Sequence, residues 1–158
     1  MKWHEATLGE FFDVKHGYAF QSKYFSDEGN YILLTPGNFR DEGGFKYKDG
    51  KEKFYSGDIP EEYVLKQGDL LVAMTEQAEG LLGSSAWIPS DNRFLHNQRV
   101  GLIANLDGSR LDKAFLYYLF NTRVVRSQIK ASASGTKVRH TAPERIAKVK
   151  FSRPPIAT

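Results

Sequence analysis

The chain has 158 residues, of which 41% are hydrophobic and 13% aromatic, and its formal net charge is +3. This length and composition predict one globular domain with a buried core and exclude a disordered tail. The absence of cysteine excludes disulfides, a thiol nucleophile and cysteine-bound metal, and no apolar run reaches the ~18 residues of a membrane span.

Short strands dominate the predicted elements of the first hundred residues. Thr7 and Glu10 have the spacing of a capping box, which predicts a short helical turn between them. Alternating or continuous apolar residues predict strands over residues 12–18, 31–34, 70–74, 85–88 and 100–104. The second of these should stop at Pro36-Gly37-Asn38.

A lysine hairpin, residues 45–55, is predicted around Asp49-Gly50, a dipeptide suited to a two-residue type I′ turn. Alternation then places four lysines on one face: Lys46, Lys48, Lys51 and Lys53. The other face would carry Phe45, Tyr47, Glu52 and Phe54. Such a lysine face could follow a phosphate backbone, or it could simply keep an edge strand soluble.

The remaining third of the chain predicts helices. The apolar spacing from Asp112 to Lys130 is typical of one long amphipathic helix, ended by small residues and Gly135. Thr141 and Glu144 form a second capping box with a proline in the first turn, which predicts a short helix and then a strand over residues 148–151. The fold class is therefore α/β or α+β, a single domain with a mixed sheet.

The loop between the predicted helices is a second candidate anion site. It carries flexible backbone, a hydroxyl group and basic or titratable side chains at Gly135, Thr136, Lys137, Arg139 and His140. A plain helix–helix turn explains the same residues equally well.

Charge is unevenly distributed along the chain. Residues 110–158 contain eleven Lys or Arg and two acidic residues, which gives +9, whereas residues 1–109 carry −6. A basic third of this kind suggests a polyanionic partner, although basic faces are also common on soluble domains.

Known catalytic motifs are absent from the sequence. It contains no H-x-x-x-H metal spacing, nucleophile elbow or dinucleotide-binding glycines, so we expect no cofactor and no metal. The residues before Pro154-Pro155 lack the Asn or Asp of a DNA amino-methyltransferase. Two Asp-x-Lys triplets, at Asp13 and Asp49, keep a metal-dependent nuclease as an alternative.

Several segments together resemble the target recognition domain of a type I restriction–modification specificity subunit. The matching segments are Leu8-Gly9-Glu10, Val14-Lys15-His16-Gly17-Tyr18-Ala19-Phe20, Val64-Leu65-Lys66-Gln67-Gly68-Asp69-Leu70-Leu71-Val72, Gly80 and Gly83, Asn97-Gln98-Arg99-Val100, Phe115-Leu116-Tyr117-Tyr118-Leu119, Ala133-Ser134-Gly135-Thr136, Ile146 and Pro154-Pro155. The double proline of that family leads into a spacer helix, which is missing here. We therefore expect residues 1–158 to be the amino-terminal recognition domain of a longer subunit.

The resemblance implies a cytoplasmic, non-catalytic domain that reads one half of a bipartite double-stranded DNA target. Its partners would be DNA and, through the full-length subunit, the methylation and restriction subunits. Bases would be read by side chains with paired donors or acceptors, such as Arg93, Asn97, Gln98 and Arg99. Asn97 and Gln98 could instead hold loop backbone, and a protein-interaction module is a further alternative.

Overall fold

A computed structural model describes residues 2–153 and 155 of the chain. Its strands are β1 (His4–Thr7), β2 (Asp13–His16), β3 (Phe25–Ser26), β4 (Ile32–Leu33), β5 (Phe54–Tyr55), β6 (Leu70–Ala73), β7 (Thr75–Glu76), β8 (Ser85–Trp87), β9 (Phe94–Leu95), β10 (Val100–Ala104), β11 (Arg139–His140) and β12 (Lys150–Arg153). Its α-helices are α1 (Lys113–Phe120), α2 (Arg123–Ser132) and α3 (Pro143–Ala147). This mixture of helices and sheets confirms the α+β class.

The central sheet is antiparallel, in the order β2-β10-β6-β8. Strand β6 is buried on both faces, because Leu70 and Val72 join one apolar core while Leu71 and Ala73 join a second. A strand covered on both sides needs a continuous apolar run. That run is the signal from which β6 was predicted.

A second four-stranded sheet has the order β3-β5-β4-β9 and contains one parallel pair, β4 with β9. A third apolar cluster packs on this sheet, and its buried residues are Phe20, Leu33, Tyr55 and Leu95. Two small antiparallel pairs complete the fold, β1 with β12 and β7 with β11. The strand predicted over residues 148–151 is β12, displaced by two residues; Pro154 of the double proline lies outside the described residues.

The prediction of one long helix from residue 112 to 130 is wrong, because the chain breaks between α1 and α2. Asn121 ends α1, and Thr122 adopts an extended ψ of 157° as the N-cap of α2. The Asn121 side chain bonds Ser85 and the carbonyl of Tyr117. Polar capping side chains thus interrupt an otherwise continuous apolar stripe.

Of the two predicted capping boxes, one is confirmed. The Thr7 N–H donates to the Glu10 carboxylate over 2.6 Å, at a short 3₁₀ turn over Leu8–Glu10. This bond is the main cause of the lowered pKa of Glu10. The second box is wrong: the N-cap of α3 is Ala142, which has no side-chain cap bond, and the buried Thr141 hydroxyl has no hydrogen-bond partner among the described residues.

The predicted turn of the lysine hairpin is present, but the predicted pairing of its two strands is not. Asp49 and Gly50 both have positive φ, 48° and 82°, and the Lys51 N–H donates to the Lys48 carbonyl over 3.1 Å, as in a type I′ turn. In the described structure, however, residues 46–53 belong to no strand. The Glu52 carboxylate accepts the Lys48 backbone N–H, so the paired strands predicted for this segment do not form.

Candidate nucleic-acid interface

Two adjacent grooves form the candidate site. The large groove has a volume of about 740 Å³ and the small groove about 420 Å³. They share three lining residues, Thr75, Gln98 and Arg99, and so form one continuous concave surface. Predicted site residues from three separate segments meet on it: Lys48, Lys53, Asn97, Gln98, Arg99 and His140.

The turn of residues 97–99 lies between the two grooves and is held by its backbone. A Cβ at Gly17 would lie 2.0 Å from the Asn97 carbonyl oxygen, so only glycine allows this close approach. The Arg99 carbonyl accepts the Met74 N–H over 3.2 Å. Asn97 is partly structural, as one alternative anticipated, because its side-chain oxygen accepts the Gln98 N–H over 2.9 Å.

The Gln98 and Arg99 side chains are exposed and available for an outside ligand. Within residues 2–153, neither side chain makes a hydrogen bond or an ion pair. A guanidinium and a carboxamide on a fixed backbone offer paired donors and acceptors to a base edge.

Lys48 and Lys53 supply positive charge to the large groove. The Lys48 ammonium donates to the Thr35 hydroxyl over 3.0 Å, and burial lowers the pKa of this lysine, opposed by nearby Glu52. The Lys53 ammonium lies 5.0 Å from the centre of the Phe25 ring. Lys48 is therefore partly buried in the groove wall, whereas Lys53 is exposed and lies over the ring of Phe25, which lines the same groove.

The segment after α2 closes into a small hairpin that brings His140 to the small groove. Ser134 and His140 exchange two backbone hydrogen bonds of 3.0 and 2.9 Å. Gly135 has a φ of 96°, and a Cβ there would lie 2.1 Å from the Val138 carbonyl oxygen. His140 then pairs with Thr75, whose hydroxyl lies 3.2 Å from the His140 Nδ1.

Other predicted site residues lie outside both grooves. Arg93 donates to the Asn30 carbonyl over 2.6 Å and stacks on Phe54, and Arg139 donates to the Lys130 carbonyl over 2.6 Å. The remaining members of this set line neither groove: Lys46, Lys51, Gly135, Thr136 and Lys137.

Much of the basic third of the chain is engaged within the fold. Lys113 donates to the Gly68 carbonyl, Arg126 to the carbonyls of Gly80 and Leu82, and Lys130 pairs with Glu79. These cations hold loops to helices, so the net charge of the segment overstates what faces the grooves.

Sequence reasoning missed several polar groove residues, among them Gln77, which follows β7 directly. A signal was present, because an exposed polar residue directly after a buried strand is well placed to bind a ligand. The two-residue strand β7 is too short to show periodicity, so the sequence does not predict the strand or the position of Gln77 after it.

The described residues contain no group of three or more His, Asp or Glu side chains positioned to hold a metal ion. Asp13, the first residue of the strand-borne Asp-x-Lys triplet, accepts a hydrogen bond of 2.9 Å from the Asn105 side chain. In the same part of the chain, no helix is long and apolar enough to cross a membrane.

Comparison with known proteins gives consistent matches. Residues 1–158 match the type I restriction modification DNA specificity domain family. The type I restriction enzyme EcoBI specificity subunit of Escherichia coli is 26% identical over 155 residues, which cover 98% of this chain and 30% of that protein.

Solved structures show the same fold. The S subunit of a type I restriction–modification system from M. genitalium has a TM-score of 0.62 at 20% identity, over 95% of this chain and 34% of that one. The HsdS subunit from Thermoanaerobacter tengcongensis has a TM-score of 0.60 at 20% identity, over 98% and 34%. This chain thus spans about a third of the length of these relatives.

Proposed function

Because this chain belongs to the type I restriction modification DNA specificity domain family, we propose that it recognises a specific double-stranded DNA sequence. The DNA would be one half of a bipartite target, and the chain would act as one recognition domain of a longer specificity subunit. The match to a specificity subunit covers 98% of this chain, and that subunit is more than three times as long, which supports this proposal.

The observation that carries the proposal is the meeting of charge and hydrogen-bonding groups on one concave surface. Lys48 and Lys53 line the large groove beside Asn97, Gln98 and Arg99. Cations that contact phosphates position a protein on a duplex, whereas paired donors and acceptors read the bases. Both kinds of group line the large groove, which supports the proposal.

Membership of this family also supports a proposal about partner subunits and catalysis. The longer subunit would dock the methylation and restriction subunits in the cytoplasm, and these subunits would supply the catalysis. This domain would itself be non-catalytic and need no cofactor. Family membership supports this proposal, because the matched family is a DNA specificity domain.

The experiment combines a salt series with a selection. Binding of the 158-residue chain to a pool of randomised duplexes is measured from low to high salt, and bound duplexes are recovered and sequenced. Each neutralised phosphate contributes a slope of about −0.9 to log K against log salt. Three groove cations, Lys48, Lys53 and Arg99, therefore predict a slope of roughly −3.

Enrichment of one short motif is expected together with that slope. Salt-independent affinity, or a recovered pool with no enriched motif, would overturn the proposal. Polyglutamate is the matched control, because a surface that recognises only negative charge would bind it as well as DNA.

A further inference from the structure

The loop that follows β7 forms one wall of the large groove, through Gln77, Ala78 and Leu81. We propose that Gln77 is a specificity-determining residue that reads an adenine, and that Glu76 and Arg126 hold it in position. This inference rests on the proposed function and names a base-reading group outside the predicted site.

Glu76 anchors the loop from its inner side. The residue is only 3% exposed, and its carboxylate accepts the backbone N–H groups of Leu82 over 2.8 Å and Gly80 over 3.3 Å. A buried carboxylate that accepts two backbone N–H groups fixes the path of the chain between them, because breaking either bond would leave a buried charge less well solvated. Gln77 directly follows this anchor.

Arg126 anchors the loop from α2. Its guanidinium donates to the Gly80 carbonyl over 3.0 Å and the Leu82 carbonyl over 3.1 Å, and it also bonds the carbonyl of Asp41. Asp41 lines the large groove as well. One half-buried arginine therefore joins two groove-lining segments to the same helix, so their relative position is fixed before a ligand arrives.

The Gln77 side chain is free to act on a ligand. It is exposed, and among the described residues it makes no hydrogen bond. A glutamine carboxamide accepts from N6 and donates to N7 of adenine, a bidentate pattern that other bases do not offer in the major groove. The adjacent Ala78 methyl group suits the thymine methyl, so the expected base pair is A·T.

The test compares two glutamines on the 158-residue chain. Gln77→Ala is measured beside Gln67→Ala, which removes an exposed glutamine from the turn before β6 that lines neither groove. Each variant is passed through the same randomised-duplex selection as the parent, and its thermal unfolding is recorded.

Gln77→Ala should lose roughly ten-fold or more of the discrimination at one A·T position, with the salt slope and unfolding temperature unchanged. Gln67→Ala should select the parental motif. A parental motif from Gln77→Ala would overturn this inference and leave the proposed function standing. If the parent itself selects no motif, the proposed function fails first.

Arg126→Lys tests the positioning part of the inference. Lysine keeps the charge but not the fork of donors. The variant should relax the same A·T position as Gln77→Ala, and combining the two changes should add little further loss there. The control, Lys130→Ala, breaks only the exposed ion pair with Glu79 and should keep the motif. Unchanged discrimination in a folded Arg126→Lys chain would overturn the positioning role.

Discussion

Lys48 and Lys46 are two residues apart in one segment, yet only Lys48 lies at the groove. The Lys48 ammonium is held against the Thr35 hydroxyl, whereas Lys46 is exposed and lines neither groove. Side-chain charge alone therefore does not decide which lysines face a ligand. The backbone bonds of the segment decide it, since Glu52 accepts the N–H that a hairpin ladder would have used.

This difference predicts unequal effects from two double substitutions. Lys48→Met with Lys53→Met should weaken binding to all duplexes and reduce the salt slope by about two, since each lost phosphate contact removes about one. Lys46→Met with Lys51→Met is the matched control and should change neither. Methionine preserves the apolar stem, so the comparison isolates the charge. Equal losses from both pairs would restore the four-lysine face and contradict the structure.

His96 makes stability depend on pH. The side chain is 1% exposed, and its Nε2 lies 2.9 Å from the Val100 carbonyl oxygen, an acceptor that places a proton on Nε2. Burial lowers the pKa of His96 below the ordinary value of 6.5, in spite of that hydrogen bond. The unfolded chain therefore takes up the proton first as pH falls.

The stabilisation is complete above about pH 6.5 and declines as pH falls from there towards the lowered pKa, by at most about 1.4 kcal/mol per pH unit. His96→Gln retains a donor towards Val100 but does not titrate. Urea unfolding at pH 7.5 and pH 5 should show a smaller loss of stability for this variant than for the parent. The two chains differ only at residue 96, so the comparison isolates that side chain. Equal losses in the two chains would contradict the assignment.

At the scale of elements, the junction between α1 and α2 is attached to the central sheet by side-chain hydrogen bonds. The Asn121 side chain accepts the Ser85 N–H over 3.0 Å and donates to the Ser85 hydroxyl and the Tyr117 carbonyl, each over 2.9 Å. Ser85 is fully buried on β8. The break in the helix thus allows Asn121 to hydrogen-bond the backbone N–H and the hydroxyl of Ser85 on β8, an edge strand of the central sheet.

Asn121→Ala should lower the free energy of unfolding by about 2–3 kcal/mol, because it leaves the buried Ser85 N–H without a partner. Thr122→Ala removes a 3.5 Å cap bond from the Val125 N–H and an exposed 2.7 Å bond to the Leu119 carbonyl. Because Thr122 is exposed, the loss should be smaller, about 1 kcal/mol or below. Denaturant unfolding of both variants measures the difference. A larger loss from Thr122→Ala would mean that capping, rather than the contact with β8, holds the junction.

The elements show which signals a sequence carries. Strands β6, β8 and β10 were predicted because each has a run of buried residues long enough to be seen. Among the two-residue strands, β4 lies in the predicted apolar run of residues 31–34, whereas β3, β5, β7, β9 and β11 carry no periodicity, because partners distant in sequence define them. The helix break was missed because Asn121 and Thr122 stand on the polar side of a continuous apolar stripe.

The candidate site was predictable to a similar extent. Gln98 and Arg99 were found because polar residues precede an apolar strand, and Lys48 and Lys53 because lysines alternate around a turn. That these two segments line one groove depends on long-range contacts, such as the approach of Gly17 to Asn97 and the bond from Lys48 to Thr35, which no local pattern encodes. Gln77 was missed because the strand before it, β7, has only two residues and shows no periodicity.

For the whole molecule, the charge asymmetry has two separate uses. The carboxyl-terminal third contributes cations such as Arg126 and Lys113 that bond backbone carbonyls and hold the layers together. The groove cations come mainly from the acidic first part of the chain, at Lys48, Lys53 and Arg99. DNA binding should therefore depend on a few placed charges rather than on the overall net charge of +3.

That division leads to a prediction about magnesium. If phosphates are held by side-chain cations alone, Mg²⁺ acts only as a competing counterion and should weaken binding, as added salt does. Adding EDTA to metal-free buffer should leave affinity unchanged, and supercoiled plasmid should stay intact with Mg²⁺ present. The nuclease alternative requires the reverse, because its Asp-x-Lys carboxylates would hold the metal that activates water.

Asp13 supplies the decisive variant, since its carboxylate contacts Asn105 and lies outside both grooves. Magnesium-dependent nicking that disappears in Asp13→Ala would replace DNA reading with DNA cleavage as the activity of this fold.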